Sequence, residues 1–297
     1  MNHPLKSLRG IYGDLPTVHD TLVALGKLGI ILVLVAIAWS AINALTTDFK
    51  DHHEIIEQRN APFTLIRASM LVGQVVATVP LVSVKSDNTA LDFQWLVCGG
   101  LGIILAFNIV LRPVLDLLLY GKLRSANALR DASLAHAIVQ SSFYLSLGLI
   151  IGGAFTGAAP SVSVAVRSTL LFTGLGLLML VIAYLLVGTF YGMRSEINTY
   201  ENKAAALILG SVVIGLGFML NTAIAGDFTG WANALIGFGI YAVVGTVVLL
   251  VLVPLLGRLA LRKSNISVLI KGNQWLAAAV TGTVIVLVAM AMSSIVI

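Results

Sequence analysis

Eight apolar stretches, each about as long as a bilayer core is thick, constrain this chain more than any other feature. A membrane-spanning helix needs about 20 mainly apolar residues to cross a hydrocarbon core about 30 Å thick. Only 10% of the residues are charged, against about 25% in soluble domains. The sequence therefore predicts an all-α polytopic membrane protein with eight transmembrane helices. We place helices one to eight near residues 22–45, 61–83, 93–119, 134–156, 164–190, 204–224, 231–256 and 273–295.

The stretch that leads into helix two returns before helix six, at a constant offset of 142 residues. The first copy, Glu54–Gly73, reads EIIEQRNAPFTLIRASMLVG, and the second, Glu196–Gly215, reads EINTYENKAAALILGSVVIG. Seven positions are identical without a gap, which indicates an internal repeat. Pro254 matches Pro113 at an offset of 141. The predicted organisation is a polar arm over residues 1–20 and two four-helix units over residues 21–157 and 158–297.

The basic residues predict how the chain is oriented. Twelve of them follow odd-numbered helices, and four lie on the opposite side. Because basic loops stay in the cytoplasm, the first set should be cytoplasmic and both termini external. Each unit has an even number of spans, so both units cross the membrane in the same direction. The sequence thus predicts two parallel repeats rather than inverted ones.

Small and polar residues mark the even-numbered helices. Each of these helices begins after a polar residue and carries a hydroxyl residue nine positions later. Three of them add a small residue four positions further on, namely Gly73, Ser146 and Gly215. Small residues four apart let helices approach closely in lipid. We therefore expect the even helices to pack inside and the odd helices outside. The predicted packing or axial residues are Asn60, Ser69, Gly73, Ser133, Ser142, Asn202, Ser211, Gly215 and Thr283.

These helix starts resemble those of the YjfL-like family of bacterial inner-membrane proteins, which is domain of unknown function 350. LIKGNQWLAAAVTG at Leu269–Gly282 and the stretches at Asn60 and Asn202 look like the family pattern, whereas RDASLAHA around Ser133 departs from it. The resemblance covers nearly the whole chain as two tandem units. It implies a bacterial plasma-membrane location and a gene context linked to envelope stress or to amide ligases and polyamines. It carries no established activity.

Two ionisable residues inside predicted spans are candidates for function. Arg67 lies about two turns into helix two, and an intramembrane charge is a pointer to function. Alternatively, its long side chain extends to the membrane interface, since the matched residue of the second unit is Leu209. His136, one turn into helix four, could titrate or bond to another helix, or it could simply pack.

Several classes of function have no support in the sequence. No acidic residue lies near the middle of a span, and neither a phosphate-binding loop nor a nucleophile motif is present. Cys98 is the only cysteine, so no thiolate metal site can form within the chain. The net charge of +5 comes from short loops, which does not indicate nucleic-acid binding. The sequence predicts a protein that is not an enzyme and that holds no metal or cofactor.

Two functional hypotheses follow. In the first, the protein is a non-catalytic membrane component that docks a cytoplasmic protein through basic loops such as YGKLRSANALR, with Lys122, Arg124 and Arg130. In the second, it is a channel or uncoupled transporter with a path between helices two, four, six and eight. The lipid bilayer, a cytoplasmic protein and a second copy of the chain are the partners considered. The hypotheses differ in whether the hydroxyl residues of the even helices face water or pack dry.

Overall fold

The computed structural model describes residues 18–45, 53–83, 89–121, 132–260 and 266–295. Within these ranges, eight helices are long and apolar enough to cross a membrane, which confirms the predicted fold class. They begin and end within four residues of the predicted limits, and most of the predicted polar arm lies outside the described residues. The helices are α1 Val18–Leu45, α2 Ala61–Ser83, α3 Thr89–Tyr120, α4 Leu134–Ala154, α5 Val162–Phe190, α6 Lys203–Ile224, α7 Trp231–Ala260 and α8 Trp275–Ile295.

The even helices form a row. Helix α2 packs along α4, α4 along α6, and α6 along α8. All four begin at the same end of the bundle, which we call the basic end because most basic residues lie in its loops. Helix α1 packs on α2 and α3, α5 on α4 and α6, and α7 on α6 and α8. Thus α4 and α6 are central, whereas α2 and α8 end the row and keep exposed faces.

The contact between α2 and α4 requires glycine. A Cβ atom on Gly73 would meet the carbonyl group of Tyr144, and one on Gly148 would lie 2.8 Å from the Cα atom of Gly73. The matching contact between α6 and α8 is looser, since a Cβ atom on Gly215 would lie 3.0 Å from that of Ala289. Residue 289 follows residue 148 by 141 positions, so the two units are built on the same interface.

Polar groups join the two units where α4 meets α6. The Ser146 hydroxyl donates to the carbonyl oxygen of Val213 at 2.9 Å, and the Asn221 amide donates to that of Leu149 at 2.7 Å. At the ends of the row, the residues that match Ser146 and Asn221 are Leu287 and Val79, and both are exposed. Bulky apolar side chains suit a lipid-facing surface and prevent the close approach that small residues allow.

One turn of α3 differs in structure from the matching turn of α7 in the second unit. Residues Ala106–Leu111 form a π-helical turn, whereas α7 is α-helical throughout. Phe107 lies against Gly73 as Leu249 lies against Gly215, at an offset of 142, but Pro113 matches Pro254 at 141. The first unit therefore has one extra residue between Phe107 and Pro113, and the wide π turn accommodates it. Pro113 itself causes no irregularity, because it lies in the first turn of the helical segment Arg112–Tyr120, where proline is tolerated.

Candidate functional site

The same hydrogen-bonded clasp precedes α2 and α6 at the basic end. The Asn60 amide donates to the Glu54 carboxylate at 3.2 Å, and the Asn202 amide donates to the Glu196 carboxylate at 3.0 Å. Each asparagine oxygen also caps its helix by accepting a backbone N–H three residues later. The repeated glutamate and asparagine thus hold the short helices His53–Glu57 and Met193–Tyr200 against the start of the next span.

The second clasp also joins α6 to α8. The Asn202 amide donates to the carbonyl oxygen of Ile270 at 2.6 Å, at the end of the short helix Ile266–Lys271. Asn273 returns the contact, because its side-chain oxygen accepts the Ala204 N–H at 3.2 Å. Asn202 is 4% exposed, so these bonds are shielded from water and a lost partner would be costly.

We expect Asn202→Ala to lower the free energy of unfolding by about 2–4 kcal/mol, because it removes a helix cap and leaves buried groups unsatisfied. Asn202→Asp should be nearly as harmful, since aspartate keeps the cap acceptor but cannot donate to Ile270. The measurement is thermal unfolding in detergent, with exposed Asn233→Ala as the control. Equal unfolding temperatures for Asn202→Ala and Asn233→Ala would contradict the role of the clasp.

The hydroxyl residues of the even helices do not converge on one axis. Each hydroxyl donates to a carbonyl oxygen of its own helix, at 2.6–2.9 Å. Ser69 is buried one turn before Gly73 on the face of α2 that meets α4, and Ser142 is buried beside Gly210 of α6. Ser211 is partly buried against Gly282 of α8, and Thr283 is exposed on the outer face of α8. The residues that sequence spacing grouped together therefore serve three different interfaces and one free surface.

His136 connects the two units at the basic end. Its Nδ1 atom is 2.8 Å from the hydroxyl of Ser133, the residue that caps α4. Its Nε2 atom is 3.2 Å from the side-chain oxygen of Asn198, which lies on the short helix Met193–Tyr200. The ring also stacks on Tyr120 at 5.0 Å. Because the Asn198 side-chain oxygen can only accept, the Nε2 atom is the donor in that contact. Lys122, Arg124 and Arg130 lie outside the described residues.

Arg67 is buried inside the first unit and does not extend along a lipid-facing surface. Its side chain is 2% exposed. The central guanidinium carbon lies 5.5 Å from the ring centre of Trp39 and 5.6 Å from that of Phe63. Both distances are in the range of cation–π contacts. The second unit does not repeat this cradle at the matched positions, because the residues matching Trp39, Phe63 and Arg67 at an offset of 142 are Val181, Ala205 and Leu209. Its own arginine–aromatic contact is made by Arg194, whose central guanidinium carbon lies 5.5 Å from the ring centre of Tyr184.

Further polar groups continue from Arg67 along the boundary of α1, α2 and α3. Gln74 and Thr78 follow Arg67 on one face of α2 and are 4% and 6% exposed. Towards the other end, Lys27 donates to the carbonyl oxygen of Val82 at 2.9 Å and lies 3.6 Å from the Asp92 carboxylate. We call this set the polar file. It consists of Arg67, Gln74, Thr78, Lys27 and Asp92, which match Leu209, Leu216, Leu220, Thr169 and Ala234 in the second unit.

Gln74 is the least satisfied member of the polar file. Neither the nitrogen nor the oxygen of its side-chain amide has a hydrogen-bond partner among the described residues. It lines a cavity of about 10 Å³ beside Leu34 and Ile103, which is room for about one water molecule. A buried polar group without a partner destabilises a fold. Leu216 occupies the matching position of the second unit, so packing does not require an amide at this position. A buried amide that packing does not require points to a functional role for Gln74.

The sequence points to single members of the file but not to the file itself. Gln74 is an amide inside a predicted span, for which the sequence favours a bond to a neighbouring helix, and the described residues offer it no such bond. Nothing in the sequence connects Lys27 with Asp92, which are 65 residues apart. A position-by-position comparison of the two units singles out Gln74, whose counterpart is a leucine. It does not reveal the ion pair, because that depends on how α1 packs against α3.

Comparison with known proteins agrees with the tandem architecture. The family described as Domain of Unknown Function (DUF350) matches residues 15–155 and again residues 160–296. A "UPF0719 transmembrane protein" from Aquifex aeolicus (strain VF5) is 30% identical over 118 residues, which are 39% of this chain and 44% of that relative. The matched segment thus spans less than half the length of the curated relative. No solved structure matches the chain.

Proposed function

The chain belongs to the DUF350 family, and on that premise we propose that it is a non-catalytic protein of the bacterial plasma membrane that docks a cytoplasmic protein at its basic end. Eight spans and a bacterial transmembrane relative support the membrane location. The distribution of basic residues supports a cytoplasmic basic end, with both termini outside. No catalytic step is assigned to any residue.

The observation that carries this proposal is the pair of clasped short helices. Crossing a bilayer does not require them, and each clasp keeps a non-glycine residue in the left-handed region, Arg59 at φ 50° and Glu201 at φ 49°. Such a conformation costs about 1–2 kcal/mol. The helix Met193–Tyr200 buries Met193 and Ile197 and leaves Thr199 and Tyr200 exposed. A rigidly held polar surface beside basic loops suits an acidic protein partner.

The packing of the even helices favours docking over a path between those helices. A water-filled path would require the hydroxyl groups to face a common space. Instead, Ser69 and Ser142 are buried between helix pairs and bond to their own helices. Small residues in such places serve close contact.

The docking proposal can be tested with a photo-crosslinking amino acid placed at Thr199, on the basic end, or at Ser161, on the opposite end. In living cells, Thr199 should yield a crosslink to a cytoplasmic protein and Ser161 should not. Replacing Lys122, Arg124 and Arg130 together with glutamine should weaken that crosslink about fivefold or more, since each basic residue contributes up to about 1 kcal/mol to such contacts. Arg167→Gln, which removes one positive charge at the opposite end, is the control for position. Crosslinks of equal strength from both positions, or an unchanged triple variant, would refute the proposal.

The polar file supports a second candidate, an uncoupled transport path along α1, α2 and α3 rather than between the even helices. The observation in its favour is the Gln74 amide, which lies beside a cavity and finds no hydrogen-bond partner in the part of the chain that the structure describes. In this case, purified protein in liposomes should pass a small solute or protons, and Gln74→Leu should abolish the flux while leaving the Thr199 crosslink intact. Leu216→Met, at the matched place in the second unit, is the control. Equal flux through the wild type, Gln74→Leu and empty liposomes would exclude transport.

A further inference from the structure

A cavity of about 500 Å³ with a mixed polar and apolar lining opens at the end opposite the basic end. It lies between the loop that joins α4 to α5 and the loop that joins α6 to α7. The two loops are fastened together, because the Asp227 carboxylate accepts the Ala158 N–H at 2.7 Å and the Phe228 N–H donates to the Ala158 carbonyl at 3.0 Å. Among the described residues that line the cavity, Asp227 is the only charged one. The cavity is therefore suited to a cationic group.

An apolar groove of about 430 Å³ runs beside it on the membrane-facing side. One wall is α3 from Trp95 to Leu111, the other is α5 from Val166 to Leu177, and Leu147 on α4 belongs to the floor. The walls cover 16 (111 − 95) and 11 (177 − 166) residue steps, which is about 16–24 Å at 1.5 Å per residue. An acyl chain that reaches the middle of a bilayer core needs about 15 Å, so the groove is long enough for one.

Glycines keep the groove open. A Cβ atom added to Gly102 on α3 or to Gly174 on α5 would meet nothing within 4 Å. Both residues line the groove. Gly99 differs, because a Cβ atom there would lie 2.7 Å from the Leu81 side chain. The open space at Gly102 and Gly174 thus belongs to the groove rather than to a packed helix contact.

The cavity and the groove adjoin each other, since Trp95, Phe155 and Thr169 line both. Tryptophan is typical of the level at which lipid head groups meet acyl chains. We propose that the cavity and the groove together bind one phospholipid. Its ammonium head group lies in the cavity beside Asp227, and an acyl chain lies in the groove between α3 and α5.

Charge and shape select this ligand. An ammonium group is attracted to the Asp227 carboxylate and can also lie against aromatic faces such as Trp95 and Phe228. A head group with net negative charge is disfavoured at the same place. A small soluble cation would occupy the cavity but would leave the apolar groove empty.

The test uses the full chain in detergent, with phosphatidylethanolamine or phosphatidylglycerol added and bound lipid counted by native mass spectrometry. The wild type should retain phosphatidylethanolamine about fivefold better than phosphatidylglycerol, the factor expected of one charge pair. Gly102→Leu and Gly174→Leu should lower retention of both lipids without changing thermal unfolding measured in lipid-free detergent. Gly239→Leu, at another glycine with open space outside the groove, is the control.

Asp227→Asn tests the contribution of the head group to binding separately from that of the acyl chain. Asparagine keeps an oxygen that can accept the Ala158 N–H but loses the charge, so the preference for phosphatidylethanolamine should disappear while lipid is still retained. The proposal is overturned if Gly174→Leu retains both lipids as the wild type does. It is also overturned if soluble phosphoethanolamine displaces phosphatidylethanolamine at equal concentration, since the site would then be one for a small cation.

Discussion

Replacing Gly73 with leucine is expected to eliminate the folded protein. A Cβ atom at this position already meets the Tyr144 carbonyl and lies 2.9 Å from the Phe107 ring. The remaining atoms of a leucine side chain would force α2 away from both α3 and α4. Because backbone cannot move aside as a flexible side chain can, the cost should exceed about 4 kcal/mol. The measurement is the yield of monodisperse protein and its thermal unfolding in detergent.

Gly239→Leu is the matched control, since a Cβ atom there meets nothing within 4 Å. The two units also predict a graded result. Gly73→Ala should be more harmful than Gly215→Ala, because the nearest neighbour of the second added Cβ atom is the Ala289 side chain at 3.0 Å rather than backbone. If Gly73→Leu unfolds at the same temperature as Gly239→Leu, the close packing of α2 on α4 in the row of even helices is contradicted.

The second large effect is expected from Leu209→Arg, which places in the second unit the charge that the first unit holds at Arg67. Leu209 is fully buried, and the matched positions for an aromatic cradle are Val181 and Ala205. Arg194 packs against the same Gly188 as Leu209, so a second positive charge there would also meet a like charge. A buried charge without compensating contacts costs about 3–5 kcal/mol. Leu209→Arg should therefore misfold or unfold far below the wild-type temperature. Leu209→Met conserves volume and should unfold near it. Similar unfolding temperatures for Leu209→Arg and Leu209→Met would show that the second unit tolerates a charge and that the polar file is not special to the first.

The spans and the repeat were predictable because their signals are local. An apolar stretch of about 20 residues specifies a spanning helix whatever surrounds it. The asparagines at 60 and 202 marked helix starts for a similar reason, since a capping side chain acts on the backbone three residues away. The structure adds what each asparagine does besides capping, which is to bind a glutamate six residues earlier.

The arrangement of the helices was not predictable from spacing. Ser69 with Gly73 and Ser142 with Ser146 have the same spacing, but the first pair meets α4 from α2 and the second meets α6 from α4. Spacing shows that one face of a helix carries small residues, but it does not show which neighbouring helix packs against that face. The change of offset from 142 to 141 was visible and implied one extra residue, but only the π turn at Ala106–Leu111 places it.

The central claim is that both units share one scaffold and that the polar file of the first unit is kept for function rather than for packing. Gln74→Leu tests it most directly, because it gives the first unit the residue that the second has at Leu216. The substitution removes a buried amide without hydrogen-bond partners among the described residues. The free energy of unfolding in detergent should rise by about 1–2 kcal/mol. A fall of that size or more would contradict the claim, because Gln74 would then be part of what holds the first unit together.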